Sequence, residues 1–226
     1  MVTSLVGELP NGWREVRLED VADLRAGVTT SMGSDGPVAV VKPKNLADGR
    51  LRGIPDRVGD AEAARLSRYR LRAGDVVCVR TGGLGRHALV GAEQEGWLFG
   101  TGIIRIRPGE EVDAHYLNHY LSHAAVQDWL RRNAVGSAVP SVSTLVLGTL
   151  PVALAPLDVQ RSIGLVFHAL TEKIAAHERI CEATAELRDA LLPLTFSGQL
   201  VPRVDETGSD HRPGSAGIMA ADADKS

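Results

Sequence analysis

Leu150-Pro151-Val152-Ala153-Leu154-Ala155-Pro156-Leu157-Asp158-Val159-Gln160 carries the chain from a short apolar strand into a heptad-patterned segment. From Asp158 to Leu191, the positions Val159, Ile163, Val166, Leu170, Ile174, His177, Cys181, Thr184 and Leu191 recur at spacings near three and four. That period marks one face of a helix. At 1.5 Å per residue the segment predicts a helix of ~50 Å, longer than most globular domains use. Its apolar seam calls for a partner, with His177 and Thr184 setting register; the alternative is a helix folded back on its own domain. The junction therefore divides the chain. Residues 1–155 are expected to form a globular domain and residues 156–200 a dimerisation or spacer helix. Residues 201–226, poor in large apolar side chains, are expected to be a disordered tail.

Upstream of the junction, strand and helix signals mix. Gly12-Trp13-Arg14-Glu15-Val16-Arg17-Leu18 alternates as a strand does, and Leu18 to Leu24 reads as one helical turn. Gly27 to Gly36 is a Gly/Ser/Thr-rich loop before the strand Pro37 to Val41. Leu71-Arg72-Ala73-Gly74-Asp75-Val76-Val77-Cys78-Val79-Arg80 is a turn and a β-branched run, ending in Thr81-Gly82-Gly83-Leu84-Gly85-Arg86. Glycines that dense mark a tight turn or a close backbone approach. Ala88 to Ala92 and Leu98 to Arg107 continue a mixed sheet. Asp113 caps a helix running to Leu121, a second helix spans about Ala124 to Asn133, and a Gly/Ser loop leads to a helical turn near Thr144. The fold class expected is α+β: a mixed α/β domain followed by one long C-terminal helix of coiled-coil type.

With 226 residues and 44% hydrophobic content the chain can bury a substantial core. It shows no basic-then-apolar leader and no run near the ~18 apolar residues that span a bilayer, so a cytosolic protein is expected. Cys78 and Cys181 are too far apart in sequence to suggest a disulfide framework or a metal knuckle. The net charge of −3 hides an asymmetry. Ala39 to Arg86 holds eleven Lys and Arg against five acids, while the part from Gly109 onward holds nine bases against fifteen acids. A basic unit joined to an acidic helix suits a polyanion at one end and a protein at the other, against the plainer reading of a solvated surface.

Several ordered segments resemble the DNA specificity (S) subunits of type I restriction-modification systems. They are Leu9-Pro10-x-Gly12-Trp13 with Leu18-x-Asp20; Gly74-Asp75-Val76-Val77 before an arginine and a glycine turn; Ile104-Arg105-Ile106-Arg107-Pro108; and Tyr116-Leu117-x-x-Tyr120-Leu121-Ser122. Leu150-Pro151, Pro156-Leu157-x-x-Gln160 and the closing Leu191-Leu192-Pro193-Leu194-x-Phe196-Ser197-Gly198-Gln199-Leu200 complete the order. Ala155 and Val159 stand where that family's junction carries a proline and a glutamate, and the loop after Gly136 is apolar where relatives carry Thr and Gln. The resemblance implies a target recognition domain that reads base pairs in the major groove and a helix that docks methyltransferase subunits. Family members typically carry two such domains and two helices, so this chain resembles a half-size form. It implies a homodimer or pairing with a second S-type chain, through Val159, Ile163, Val166, Leu170 and Ile174.

The function expected is sequence-specific recognition of double-stranded DNA, directing an adenine methyltransferase, with or without a restriction subunit, in defence against foreign DNA. S-adenosylmethionine would belong to the partner, and this chain would carry no cofactor. The alternative is a degenerate chain that binds the methyltransferase without reading DNA. Candidate DNA contacts are Lys42, Lys44 and Asn45 after a strand, and Arg80, Thr81 and Arg86 around the glycine turn, because these side chains reach phosphates and base edges. Gly82-Gly83-x-Gly85 lacks the Lys-Ser or Lys-Thr of a phosphate loop. His115, His119 and His123 share a helical face but lack the glutamate of a zinc-protease helix, and no metal is expected. No methyltransferase or nuclease motif occurs, so the chain is expected to be non-catalytic.

Overall fold

The computed structural model describes residues 3–30 and 36–200. Two short strands open it, β1 (Thr3–Ser4) and β2 (Gly7–Glu8), followed by β3 (Arg14–Arg17), α1 (Leu18–Val21) and β4 (Ala22–Ala26). Then come β5 (Val38–Val41), β6 (Leu46–Ala47), β7 (Arg50–Leu51), β8 (Asp56–Val58), α2 (Asp60–Arg65), β9 (Val76–Val79) and β10 (His87–Leu89). After β11 (Leu98–Phe99) and β12 (Ile103–Pro108) the chain turns helical: α3 (Ala114–Leu121), α4 (Ala124–Arg132) and α5 (Thr144–Gly148). Strand β13 (Pro151–Leu154) leads into the 40-residue α6 (Leu157–Phe196). This is the expected α+β class with a long C-terminal helix. The chain clusters into one compact unit ending at Ala169 and a second beginning at Leu170. The expected tail, 201–226, lies outside the described residues.

A four-stranded antiparallel sheet in the order β10-β9-β12-β4 organises the first unit. All four residues of β9 are buried, which explains its unbroken apolar run: the sheet is covered on both faces. Alternation along the strand sends Val76 and Cys78 to one core, with Ile104, Ile106, Leu117 and Leu121. Val77 and Val79 face the other, with Val41, Leu46, Phe99 and Ile103. Each fully buried aliphatic side chain contributes about 1.5–3 kcal/mol. Burial also pushes the Cys78 thiol up to about 12, which leaves it an unreactive core group.

Three elements differ from expectation. Leu18 to Leu24 is not one helical turn: α1 stops at Val21 and Ala22 to Ala26 pair with β12, from Pro108↔Ala22 to Ile104↔Ala26. Ladder bonds to a strand eighty residues away outweigh the local helix signal. The run Leu98 to Arg107 is two strands broken at Gly100–Gly102. Helix α6 runs through Pro193 but stops at Phe196, short of the expected 200. It ends where Gly198 adopts φ +75° and the Leu200 N–H reaches back to the Leu194 carbonyl at 3.1 Å, a left-handed cap that favours glycine.

The arginines of the Ile-Arg-Ile-Arg-Pro segment work inside the unit. Arg105 is buried and paired with Asp23, and Arg107 grips buried Asp75 through Nε and Nη2 at 2.7 and 2.8 Å. On α3, Asp113 caps as expected, accepting the Tyr116 N–H at 2.9 Å. Tyr116 and Tyr120 then donate to the carbonyls of Ala153 and Pro151 at 2.5 and 2.8 Å, fixing β13 before α6 begins. No helix among the described residues is long and apolar enough to cross a membrane.

Candidate nucleic-acid interface

The C-terminal end of β9 is where separate loops meet. The Arg80 N–H donates to the Gly102 carbonyl at 2.8 Å, and the Arg80 carbonyl accepts from the Val142 N–H at 2.9 Å. Thr81 bridges to Ser141, and Ser141 bridges in turn to Val135. The Gly100–Gly102 turn closes against Lys42 and Pro43: a β-carbon on Gly102 would stand 2.8 Å from Pro43 Cγ, and one on Gly100 3.4 Å from Lys42 Cγ. Thr29 and Thr101 share a hydroxyl–hydroxyl hydrogen bond of 3.1 Å beside it. Four segments far apart in sequence thus border Arg80, whose guanidinium has no hydrogen bond or ion pair among the described residues.

The six candidate contacts divide. Lys42, Arg80 and Thr81 come together at this end of the sheet. Lys42 and Lys44 both bind Asp56, each at 2.5 Å, and their ammonium groups hold its carboxyl below the usual range, Lys42 first and Lys44 second. One carboxylate therefore offsets half of that pair's charge. Asn45 is buried: its Oδ1 accepts the Lys42 N–H at 3.1 Å, and its Nδ2 donates to the carbonyls of Arg52 and Ile54, both at 3.2 Å. It shapes the turn that presents Lys42. Arg86 is exposed, but its guanidinium folds back onto the carbonyls of Gly82, at 3.0 Å, and Gly83, at 3.4 Å. The turn needs that support because Gly82, Gly83 and Gly85 all take positive φ, at +71°, +128° and +85°. Gln127 on α4 and the buried His87 ring both engage the Gly85 carbonyl, at 3.1 and 2.9 Å.

Sequence reasoning missed Thr29, Thr101 and the Val135–Ser141 loop as neighbours of Arg80. The Gly-Thr-Gly of residues 100–102 was the one local hint of a turn there. At the opposite end of the same sheet, Arg68, Arg70, Arg72 and Arg107 line a cavity of about 330 Å³ with Glu95. There Arg107 is neutralised by Asp75, and Arg70 Nη1 is held by the Gly96 carbonyl at 2.8 Å.

The histidine face of α3 meets the first turns of α6 within the same unit. The His115 and His168 rings lie 4.3 Å apart and the His119 ring lies 5.5 Å from Phe167. Trp13, Tyr116, Tyr120 and Ile163 border an apolar cavity of about 440 Å³ beside them. His123 is occupied as the cap of α4, its Nδ1 accepting the Ala125 N–H at 3.2 Å. Among the described residues no group of three or more His, Cys, Asp or Glu is placed to hold a metal ion. Burial, then the neighbouring histidines, lower the affinity of His115 and His119 for a proton; Asp113 partly offsets this at His115. Both rings therefore take up a proton less readily in the fold than in the unfolded chain, which protonates near pH ~6.5. Their contribution to stability is complete above that value and is lost as pH falls below it toward the depressed folded values. The urea midpoint is expected to be flat above about pH 7 and to fall below about 6.5. Titrating His115→Gln/His119→Gln in parallel should make that fall shallower, leaving the part that buried His87 contributes; an unchanged profile would remove the histidine face as a cause.

Residues 10–183 match the family model described as the type I restriction modification DNA specificity domain. Solved structures share the fold. A chain of a type I R-M system, from work on its complex assembly and conformational transition, superposes with TM-score 0.60 at 21% identity, over 84% of this chain and 47% of that one. The HsdS subunit from Thermoanaerobacter tengcongensis gives 0.54 at 21% identity, over 85% and 46%. The type I restriction-modification S subunit from M. genitalium gives 0.61 at 15% identity, over 87% and 49%. This chain spans about half the length of these solved relatives. No curated protein sequence gives a match.

Proposed function

The chain belongs to the type I restriction-modification DNA specificity family, and on that premise we propose that it selects the DNA site at which a partner adenine methyltransferase acts. Target recognition in this family is non-catalytic. In this reading the partner binds S-adenosylmethionine and performs the transfer, and a restriction subunit joins where cleavage follows. The observation that carries the proposal is Arg80, a cation without a partner among the described residues, where four loops converge beside Lys42 and Thr81. A guanidinium so placed can donate two hydrogen bonds to a guanine edge, while Lys42 and the threonine hydroxyls reach phosphates and neighbouring bases.

Pairing with a second S-type chain, in the first instance another copy, completes the reading. Ile163 packs against the chain's own core, and Val159 is half-buried. The free part of the seam starts at Val166, 58% exposed, and in the second unit Leu170 and Ile174 are 52% and 57% exposed. Two-fold pairing imposes inverted half-sites on the DNA.

Co-expression with the methyltransferase and single-base mapping of adenine methylation tests both parts. One split, palindromic motif that disappears with this chain is the expected result; an asymmetric motif means a different second S-type chain. Arg80→Gln should weaken binding to that motif by roughly 5- to 150-fold, the worth of one bidentate base contact. Arg72→Gln, which removes the same charge at the other end of the sheet, should leave the motif unchanged. Chain-independent methylation with retained partner association would replace the proposal with the degenerate, non-reading chain.

A further inference from the structure

The loop from Ala134 to Val142 contains no charged residue and holds two valines in solvent, Val135 at 72% and Val139 at 59% exposure. Lone exposed valines are ordinary, so exposure alone carries nothing. Their placement does. Val135 and Ser141 exchange backbone hydrogen bonds of 2.8 and 2.9 Å, closing the loop at its neck. Ser141 is bridged on its other side to Thr81, next to Arg80. Thr81, Ser141 and Val135 therefore lie side by side at ladder spacing, which sets Val135 roughly 10 Å from Thr81.

A loop without charge gains little from phosphates, and what this one presents is methyl groups. In the major groove the apolar mark on a base edge is the C5 methyl of thymine. We propose that Val135 and Val139 are specificity-determining residues that read thymine through its C5 methyl, in the same site as the base met by Arg80. This rests on the DNA-recognition reading above and adds the class of base that the loop takes.

Deoxyuridine differs from thymidine by that methyl alone, so the test varies the DNA before it varies the protein. Binding of the chain in complex with its methyltransferase is measured on its methylation motif, on a scrambled duplex, and on duplexes carrying deoxyuridine at each thymine in turn. Uridine at one or more positions should weaken binding about fourfold, the effect of one methyl group. The Val135→Ser/Val139→Ser variant, altered only at exposed positions, should bind thymine and uridine sites equally.

A motif without thymine, indifference of the unmodified protein to uridine, or discrimination that survives in the variant would each overturn the proposal while specific binding stands. Loss of methyltransferase association in a variant that still discriminates would overturn it in favour of a protein contact. Equal binding to the motif and the scrambled duplex would instead bring down the recognition reading itself, and the thymine assignment with it.

Discussion

Replacing Gln160 with alanine is expected to destabilise the globular unit by about 3 kcal/mol and to lower its melting temperature by roughly 10 °C. Gln160 is 1% exposed and uses its whole amide. Its Oε1 accepts the Asp113 N–H at 3.0 Å, and its Nε2 donates to the carbonyls of Glu111 at 3.0 Å and Ala155 at 2.8 Å. One side chain thus ties the entry of α3, the end of β13 and the first turn of α6. Truncation leaves the buried Ala155 carbonyl without a partner, at about 1–3 kcal/mol before relaxation, unpairs the part-buried Asp113 N–H and Glu111 carbonyl at a smaller cost each, and adds a cavity. Gln160→Met separates the causes because it keeps the volume and removes the bonds; it should be nearly as damaging. Urea denaturation of the three proteins reads the difference. Stabilities within 1 kcal/mol of one another would show that the clamp is not what holds the helix entry.

The second large effect lies at the candidate interface. Gly27→Ala should cost about 3 kcal/mol and weaken DNA binding beyond what lost stability explains. A β-carbon at Gly27 would stand 2.1 Å from the Gly100 carbonyl oxygen and 3.0 Å from that of Phe99. Both neighbours are backbone, so no rotamer relieves the clash and the Gly100–Gly102 turn has to move. That turn receives the Arg80 N–H and carries Thr101, so a shift there displaces the loops around Arg80. Gly59→Ala is the matched control: a β-carbon there meets nothing within 4 Å, and at the cap of α2 the change should cost about 1 kcal/mol or less. Equal stabilities for the two variants would argue against the close approach. Normal DNA affinity in folded Gly27→Ala would separate the turn from the interface.

These two residues differ in how visible they were. Gln160 sits in a recognisable junction, yet nothing local says that its amide joins three backbone segments. Gly27 reads as one glycine among several in a loop, because the carbonyl that forbids a side chain there belongs to residue 100. The interface shows the same division. Asn45 and Arg86 have side chains suited to base edges, but the turns around them use those groups internally.

What the sequence determined by itself was whatever depends on neighbours within a few residues. The buried strand from Val76 to Val79, the glycine turn after it, the Asp113 cap and the course of α6 from its Pro-Leu entry all follow from periodicity, β-branching and capping. The family, too, was legible in the order of its motifs. Only the tertiary structure decided that Ala22 to Ala26 is a strand, that Arg107 serves Asp75, and that Thr29, Lys42, Thr101 and Ser141 border Arg80. Backbone conformation is biased by local sterics and local hydrogen bonds, whereas a polar side chain's role is set by what lies across from it, and here those partners stand up to a hundred residues away.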